Sequence, residues 1–134
     1  CRSYERTDPM NVISATAARR SETPNGVMTT LASPKQGGTD TSLWRVELHP
    51  GAAGPSHSFD VQQIWTVLAG AASLDVDGVG HSLAPGDTVI LDAGVVRQFT
   101  ADADLGFVAI ATGPGGARVS GADGQDLGIP PWTV

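Results

Sequence analysis

Short apolar runs separated by turn-forming residues constrain the fold of this chain more than any other feature. From Leu43 to Ala111 the runs are strand-sized, are rich in Val, Ile, Thr, Trp and Phe, and are divided by Gly, Pro and Asp. No helical pattern of about 10 residues lies between them, which excludes a parallel sheet with crossover helices. The sequence predicts an all-β barrel or sandwich with strands at residues 43–48, 63–68, 71–76, 80–83, 88–91, 96–100 and 105–111.

Two local patterns support this prediction. Trp44, Val46 and Leu48 alternate with polar residues, which is the period of two expected when one face of a sheet is buried. Asp77 and Gly78 tolerate positive φ and lie between two short strands, which is a strong hairpin signal. We therefore expect the strands on either side of this turn to form one antiparallel pair.

The length of 134 residues suits one domain with a single core. Residues 1–41 are polar and broken by Pro and Gly, and we interpret them as an N-terminal arm with at most one strand. Residues 42–112 form the predicted barrel core, and the Gly/Pro-rich residues 113–134 form a C-terminal tail. Trp132 is too large and apolar to stay in water, so we expect the tail to pack on the barrel or on a second subunit.

The first residues admit two interpretations. Met10 looks like a natural start, which makes residues 1–9 upstream residues. Cys1 at the first position is alternatively what a processed lipoprotein shows. As the only cysteine, it has no disulfide partner and offers no cysteine-based metal site.

Charge and hydropathy exclude several classes of partner. The formal net charge is −6 and the Lys and Arg residues are scattered, so the chain presents no basic surface for a nucleic acid. No apolar run approaches the roughly 20 residues that span a bilayer, and no signal-peptide pattern is present. We expect a soluble, cytoplasmic protein that binds neither nucleic acid nor membrane.

A stretch beginning at Gly51 resembles the first sequence motif of the cupin superfamily. In that motif a Gly stands six residues before a His-x-His pair, which is followed by a Glu and then a Gly. Gly51, His57, Gln63 and Gly70 fall at the expected spacings. Phe59 stands where the second His would be, and Gln63 stands where the Glu would be.

A second stretch resembles the other cupin motif, which runs from Gly-Asp through a Pro-x-Gly turn to a His. Gly86 and Asp87 match its start and Gly94 matches its turn. Asp92 replaces the Pro, and Arg97 replaces the His. The chain therefore keeps the glycine framework of the family and lacks most of its metal ligands.

The resemblance covers about residues 43–111 and implies a single-domain cupin, a small antiparallel β-barrel of jelly-roll type. Cupins place their metal and substrate inside the barrel. Because side chains alternate along strands, six positions are expected to converge there. These positions carry His57, Phe59, Gln63, Trp65, Arg97 and Phe99.

The altered motif positions predict a site without a metal or other cofactor. Metal-binding cupins hold a divalent ion with three imidazoles and a carboxylate, whereas this chain offers one imidazole, His57. Phe59 is no donor and Gln63 is a weak neutral one. Arg97 adds a permanent positive charge, which at about 4 Å and an effective dielectric constant near 20 opposes a dication by roughly 8 kcal/mol.

The pocket residues predict a metal-independent enzyme of cyclase, isomerase or lyase type, with a small anionic or carbonyl-containing, in part aromatic, metabolite as substrate. Arg97 is the predicted oxyanion stabiliser, and His57 is the predicted acid and base. The predicted substrate-binding residues are Phe59, Gln63, Trp65 and Phe99.

Other interpretations stay open at this point. A non-catalytic module would capture a small aromatic acid with the same residues. A dioxygenase-like enzyme would bind iron or another metal through a rearranged ligand set. A purely structural interpretation pairs Arg97 with Asp92 or another carboxylate, has His57 donate to a backbone carbonyl, and makes Trp65 and Phe99 plain core.

The sequence also predicts the orientation of one strand, the exposure of two histidines and an oligomeric state. Gln62 and Gln63 are adjacent, so only one points inward, and the motif spacing favours Gln63. His49 and His81 are expected to be exposed and outside the site. The resemblance also implies a homodimer, formed through sheet edges and exchanged N-terminal strands.

Overall fold

Strands and turns account for almost all of the part of the chain that the structure describes. The structure is a computed structural model that describes residues 10–134. Two single 3₁₀ turns span Ala15–Ala17 and Pro131–Thr133. The strands are β1 (Arg19–Thr23), β2 (Gly26–Ala32), β3 (Thr41–Leu48), β4 (His57–Phe59), β5 (Gln63–Gly70), β6 (Ala72–Val76), β7 (Val79–Leu83), β8 (Thr88–Leu91), β9 (Arg97–Ala101), β10 (Phe107–Pro114), β11 (Val119–Gly121) and β12 (Asp126–Gly128).

The strands form two sheets of six strands each. The first sheet has the order β1-β2-β3-β10-β5-β8, and the second has the order β12-β11-β4-β9-β6-β7. Neighbouring strands pair antiparallel in both sheets. The two sheets face each other around one core, which confirms the predicted all-β, jelly-roll fold.

The core lies where inward side chains of the two sheets meet. Trp44 and Val46 on β3 are each 1% exposed, which confirms the alternation predicted for this strand. Ala111 on β10 lies between Trp44 and Trp65 in the register of the sheet. Because alanine is small, it leaves room for the two indole rings to meet edge to face, with centroids 6.2 Å apart. Both indoles therefore belong to the interior of the barrel.

The predicted hairpin is confirmed between β6 and β7. Its turn residues Asp77 and Gly78 have φ values of 51° and 81°, the left-handed region that a tight hairpin turn requires. Gly70, at the end of β5, has φ 74°, and a Cβ there would lie 2.2 Å from the carbonyl oxygen of Gly106. Only glycine fits at that motif position, because β5 turns into β6 against the backbone of the neighbouring loop.

Both ends of the described chain contribute more strands than the sequence indicates. The N-terminal arm is predicted to hold at most one strand, but it supplies both β1 and β2 to the first sheet. The predicted tail contains β11 and β12, and the three-residue β4 is also absent from the predicted strands. Apart from β2, these strands are short or polar: β1 reads Arg-Arg-Ser-Glu-Thr. Backbone pairing with a neighbour holds them in place, and such pairing leaves no apolar alternation in the sequence.

The residues after β12 lie against the barrel. Trp132 packs on the core, and its carbonyl oxygen accepts a hydrogen bond from Thr30 Oγ1 at 3.1 Å. Thr133 is fully buried, and its carbonyl oxygen accepts a hydrogen bond from Ser42 Oγ. These contacts tie the C-terminal segment to β2 and β3.

The two interpretations of Cys1 and residues 1–9 lie outside the described residues. Within residues 10–134, no helix has the length and apolar character needed to cross a membrane. The homodimer stays a prediction, which light scattering of the purified protein would check.

Candidate functional site

The six predicted site residues come from three strands that meet inside the barrel. Within each strand the two residues are separated by one position, so both point to the same side. His57 lies directly opposite Arg97 in the register of two neighbouring strands. The structure thus brings together His57 and Phe59 from β4, Gln63 and Trp65 from β5, and Arg97 and Phe99 from β9.

Gln63 and Arg97 form a polar pair, and each is only 1% exposed. Arg97 Nη2 donates to Gln63 Oε1 at 2.7 Å, and Trp65 Nε1 donates to the same oxygen at 3.3 Å. Gln62 is exposed and donates to Asp92 Oδ1 at 2.9 Å. The choice of Gln63 as the inward residue is confirmed, and the pairing of Arg97 with Asp92 is wrong.

Arg97 carries a positive charge that no neighbouring carboxylate balances. Among residues 10–134, the ion pairs join other side chains. The neutral amide of Gln63 and the ring of Phe59, whose centroid is 4.6 Å from Arg97 Cζ, hold the guanidinium instead. Burial lowers the pKa of Arg97 to about 10, so it stays protonated at neutral pH. Burying such a charge costs several kcal/mol in the absence of a counter-ion.

His57 lies beside this charge and is neutral. Its ring meets the ring of Phe59 edge to face, with centroids 5.2 Å apart, and its buried Nδ1 has no hydrogen-bond partner. Desolvation by burial lowers the pKa of His57 to about 4, and the charge of Arg97 acts in the same direction. A contact with the His57 backbone offsets part of this effect. The imidazole is therefore uncharged at pH 7 and able to accept a proton.

Two adjoining cavities meet at His57. The inner cavity, of about 60 Å³, lies between the sheets, and the outer cavity, of about 330 Å³, lies at the mouth of the barrel. Both are lined by Met28, Leu48, Gly54, Pro55, His57, Phe59 and Trp132. The inner cavity adds Trp44, Val46, Trp65 and Phe99, and the outer cavity adds Thr23, Pro24, Asn25, Val119, Leu127 and Pro130.

The six residues divide into two groups around Phe59. His57, Phe59, Trp65 and Phe99 line the inner cavity, whereas Gln63 and Arg97 line neither cavity. The ring of Phe59 borders both cavities and also lies on the guanidinium. Two buried donors of the polar pair, Gln63 Nε2 and Arg97 Nε, have no hydrogen-bond partner. In this conformation the charge reaches the cavity through its field, not by direct contact with a ligand.

Several lining residues were outside the predicted site. Trp44 and Val46 were predicted to point inward, but only as core. Met28 belongs to β2, a strand that is hard to recognise in the sequence because most residues of the N-terminal arm are polar. Trp132 was expected to pack on the barrel, and its place on the cavity wall depends on the path of the C-terminal segment. For this part of the cavity wall, the sequence offers one signal, the isolated Trp132 in a polar segment.

The residues at the metal positions of the family do not fit a divalent ion. Gln63 Oε1 already accepts two hydrogen bonds, Phe59 has no donor atom, and Arg97 repels a cation. Within residues 10–134, no group of three or more His, Cys, Asp or Glu side chains is placed to hold a metal ion. The donor chemistry of this site suits an anion or a developing negative charge.

A third cavity, of about 590 Å³, opens between the edge strands β7 and β8. His81, Asp87 and Asp92 lie along it, and none of the six predicted site residues does. His49 and His81 are both exposed, as predicted. This groove shares no lining residue with the other two cavities.

Fold and site together define a small jelly-roll protein with an apolar cavity inside the barrel. Residues 44–112 match the family Cupin_2, described as the cupin domain. The chain belongs to the cupin family.

Solved structures of other proteins share this fold. The polyketide cyclase RemF from Streptomyces resistomycificus has a TM-score of 0.72 and 15% sequence identity, over 92% of this chain and 89% of that one. A cupin-like protein from Thermotoga maritima msb8 has a TM-score of 0.65 and 27% identity, over 80% and 79%. KdgF from Halomonas sp. has a TM-score of 0.65 and 20% identity, over 78% and 94%. No curated protein matches the chain.

Proposed function

We propose that the protein is a metal-independent cupin enzyme of cyclase, isomerase or lyase type. Its substrate is a small anionic or carbonyl-containing metabolite with an aromatic or otherwise apolar body. One observation carries this proposal: the unbalanced charge of Arg97 lies next to the neutral imidazole of His57, on the wall of an apolar cavity. A proton acceptor and a source of positive potential are thus combined where water is scarce.

His57 performs the proton transfer in this proposal. As a neutral imidazole it accepts a proton from a carbon next to a carbonyl group, and the electron pair of the broken C–H bond moves to form an enolate. The imidazolium then returns the proton to another atom of the intermediate. Enolate formation is a step that aldol-type cyclisation, double-bond isomerisation and β-elimination have in common.

Arg97 stabilises the negative charge that develops in this step. A fixed positive charge in a site of low dielectric constant favours an oxyanion, and it needs no reorganisation at the moment of reaction. A carboxylate partner would cancel this effect, and among residues 10–134 the ion pairs leave Arg97 without one. The same charge disfavours the imidazolium, which keeps His57 in its basic form in the resting enzyme.

The comparison with RemF adds a precedent. That protein is a polyketide cyclase, and it matches 92% of this chain. At 15% identity the likeness establishes the fold alone, so it supports the proposal only by showing that a cyclase exists on this scaffold.

A second candidate is a non-catalytic binding protein. It is favoured by the positions of Gln63 and Arg97, which line neither cavity and are covered by Phe59. A cavity with walls of Trp, Phe, Met and Leu holds an apolar ligand without any chemistry.

Hydrogen exchange on a model ketone separates the two candidates. The probe is 3-benzoylpropionate, which combines a carbonyl group, an aromatic ring and a carboxylate. Loss of the proton NMR signal of the CH₂ next to the ketone is followed in D₂O. We expect the wild type to accelerate exchange, and His57→Gln to lower the accelerated rate by about 10²-fold or more.

His81→Gln is the matched control, since it removes an exposed imidazole outside both cavities. It should exchange the probe at the wild-type rate. Equal rates for wild type and His57→Gln would sink the enzymatic proposal. Binding of the probe without any accelerated exchange would establish the binding protein instead.

A further inference from the structure

The inner cavity is too small for a ring. Its volume is about 60 Å³, whereas a cavity of about 150 Å³ is what holds a single benzene molecule. The side chains around it, among them Trp44, Trp65 and Phe99, are packed against one another with ring centroids 6.2 Å and 4.5 Å apart. Only the small end of a ligand, such as a carbonyl group, fits there without repacking the core.

The outer cavity has the size and chemistry for the rest of a ligand. Its volume of about 330 Å³ lies within the range of about 300–1,000 Å³ that is typical of small-molecule sites. No Asp, Glu, Lys or Arg side chain is among its lining residues. Of its few polar side chains, Thr23 already bonds within its own turn, accepting from the backbone N–H of Gly26 at 3.2 Å. The remaining surface suits a flat, apolar body.

Hydrogen bonds in the C-terminal segment support part of the wall of this cavity. Leu127 lies on β12, next to Asp126, whose carboxylate accepts a hydrogen bond from Arg118 Nη2 at 2.8 Å. Pro130 is held by the backbone N–H of Thr133, which donates to its carbonyl oxygen at 3.1 Å. Leu127 is nevertheless 54% exposed, so the described residues 10–134 leave about half of this apolar side chain uncovered. A ligand in the cavity would cover it.

We infer that the outer cavity is the subsite for the ring-bearing body of the ligand, and that Leu127 and Trp132 set its specificity. This inference rests on the proposed function, because it places the reactive carbonyl at His57, where the two cavities meet. The ligand is then a flat apolar compound larger than one aromatic ring, with its oxygen-bearing end inside the barrel. A fused-ring ketone or acid has this chemistry.

Two ligands of one series test the subsite by binding alone. 3-Benzoylpropionate has one ring, and 3-(2-naphthoyl)propionate has two fused rings and the same carboxylate tail. All three tryptophans of the chain line the inner cavity, so quenching of their fluorescence reports binding. We expect the naphthoyl compound to bind roughly fivefold to tenfold more tightly, because the second ring buries more apolar surface.

Leu127→Gln should remove at least half of this preference, and Leu127→Trp, which fills the cavity, should exclude the naphthoyl compound first. The matched control is Leu105→Gln, because Leu105 is 68% exposed and lines none of the three cavities. It should leave both dissociation constants unchanged. All three variants change exposed side chains, so unfolding curves should match that of the wild type.

The binding and exchange results together distinguish failure of the subsite from failure of the proposed catalysis. Equal affinity for the two compounds, no binding of either, or an equal effect of the two glutamine variants would overturn the subsite, whether or not hydrogen exchange occurs. A ring preference that depends on Leu127, without any accelerated exchange, would leave the subsite standing and remove the proposed catalysis.

Discussion

The Arg97–Gln63 pair and His57 differ in their access to the cavities inside the barrel. Arg97 and Gln63 are sealed from solvent and bond to each other, whereas His57 lies on the wall of both cavities. The ring of Phe59 contacts both environments: its centroid lies 4.6 Å from Arg97 Cζ, and the imidazole of His57 meets it edge to face at 5.2 Å. The charge and the proton acceptor are thus neighbours, yet only the proton acceptor can touch a ligand.

This difference suggests a division of tasks. The sealed group supplies a potential, and the accessible group supplies a bond to a proton. A buried cation without a counter-ion is costly to keep, so its presence is better explained by what it does to the cavity than by stability. If the two groups had only structural roles, changing either of them would affect folding and nothing else.

Removing the buried charge of Arg97 should lower the reaction rate more than any other change. Arg97→Met replaces the side chain with a shorter, unbranched apolar one and removes the charge. We expect hydrogen exchange on 3-benzoylpropionate to fall by about 10²- to 10³-fold. The free energy of unfolding should stay the same or rise by about 1 kcal/mol or more, because no buried ion pair is broken. Urea unfolding and NMR exchange measure the two effects.

Retained exchange in Arg97→Met would show that the charge has no part in the reaction. A loss of stability of several kcal/mol would show that the guanidinium is a structural group. His81→Gln serves again as the control for both measurements.

The next effect concerns His57 and pH. Its pKa is about 4 in the folded protein, against 6.5 for the free side chain. The unfolded chain therefore takes up a proton as the pH falls below about 6.5, whereas the folded protein does not until about pH 4. The contribution of the neutral imidazole is fully present above pH 6.5, and stability falls by about 3 kcal/mol between these two values.

Urea unfolding at intervals between pH 7.5 and pH 4 would measure this slope. His57→Gln has no imidazole to titrate at this position. Over the same pH range, its free energy of unfolding should therefore fall by about 3 kcal/mol less than that of the wild type. Parallel curves for the two proteins would mean that the pKa of His57 is not lowered, and that burial and the charge of Arg97 do not act on the imidazole as described.

The difference between Arg97 and His57 shows which features of the site can be predicted from the sequence. The spacing of Gly51, Gly70 and Gly86 predicted the fold, and strand alternation predicted that Gln63 points inward. Alternation assigns a side chain to a face of a sheet but not to a depth. Whether Arg97 touches the cavity depends on how the ring of Phe59 packs against it. This is a contact between side chains of the neighbouring strands β4 and β9, and strand alternation does not give its geometry.

The outer cavity was beyond sequence reasoning for a related reason. Its walls come from the turn between β1 and β2 and from the C-terminal segment, and both regions are polar, Gly/Pro-rich and without periodicity. Side chains such as Leu127 and Pro130 acquire a shared surface only when β11 pairs with β4 and carries the chain back over the barrel mouth. Pairing between such short strands has no local signal.

A carboxylate placed beside the buried guanidinium of Arg97 should have a smaller effect, which is confined to the pKa of His57. Gln63→Glu places a carboxylate at the position whose oxygen now lies 2.7 Å from Arg97 Nη2. The ion pair should cancel most of the potential at His57, so the pKa of His57 should rise by roughly one unit. It should stay below 6.5, since desolvation is the larger cause of the shift and is unchanged. NMR titration of the His57 ring protons measures this change, with Gln62→Glu, at the exposed residue directly before β5, as the control. An unchanged pKa in Gln63→Glu would mean that the charge of Arg97 does not reach the imidazole, and the two groups would then act independently.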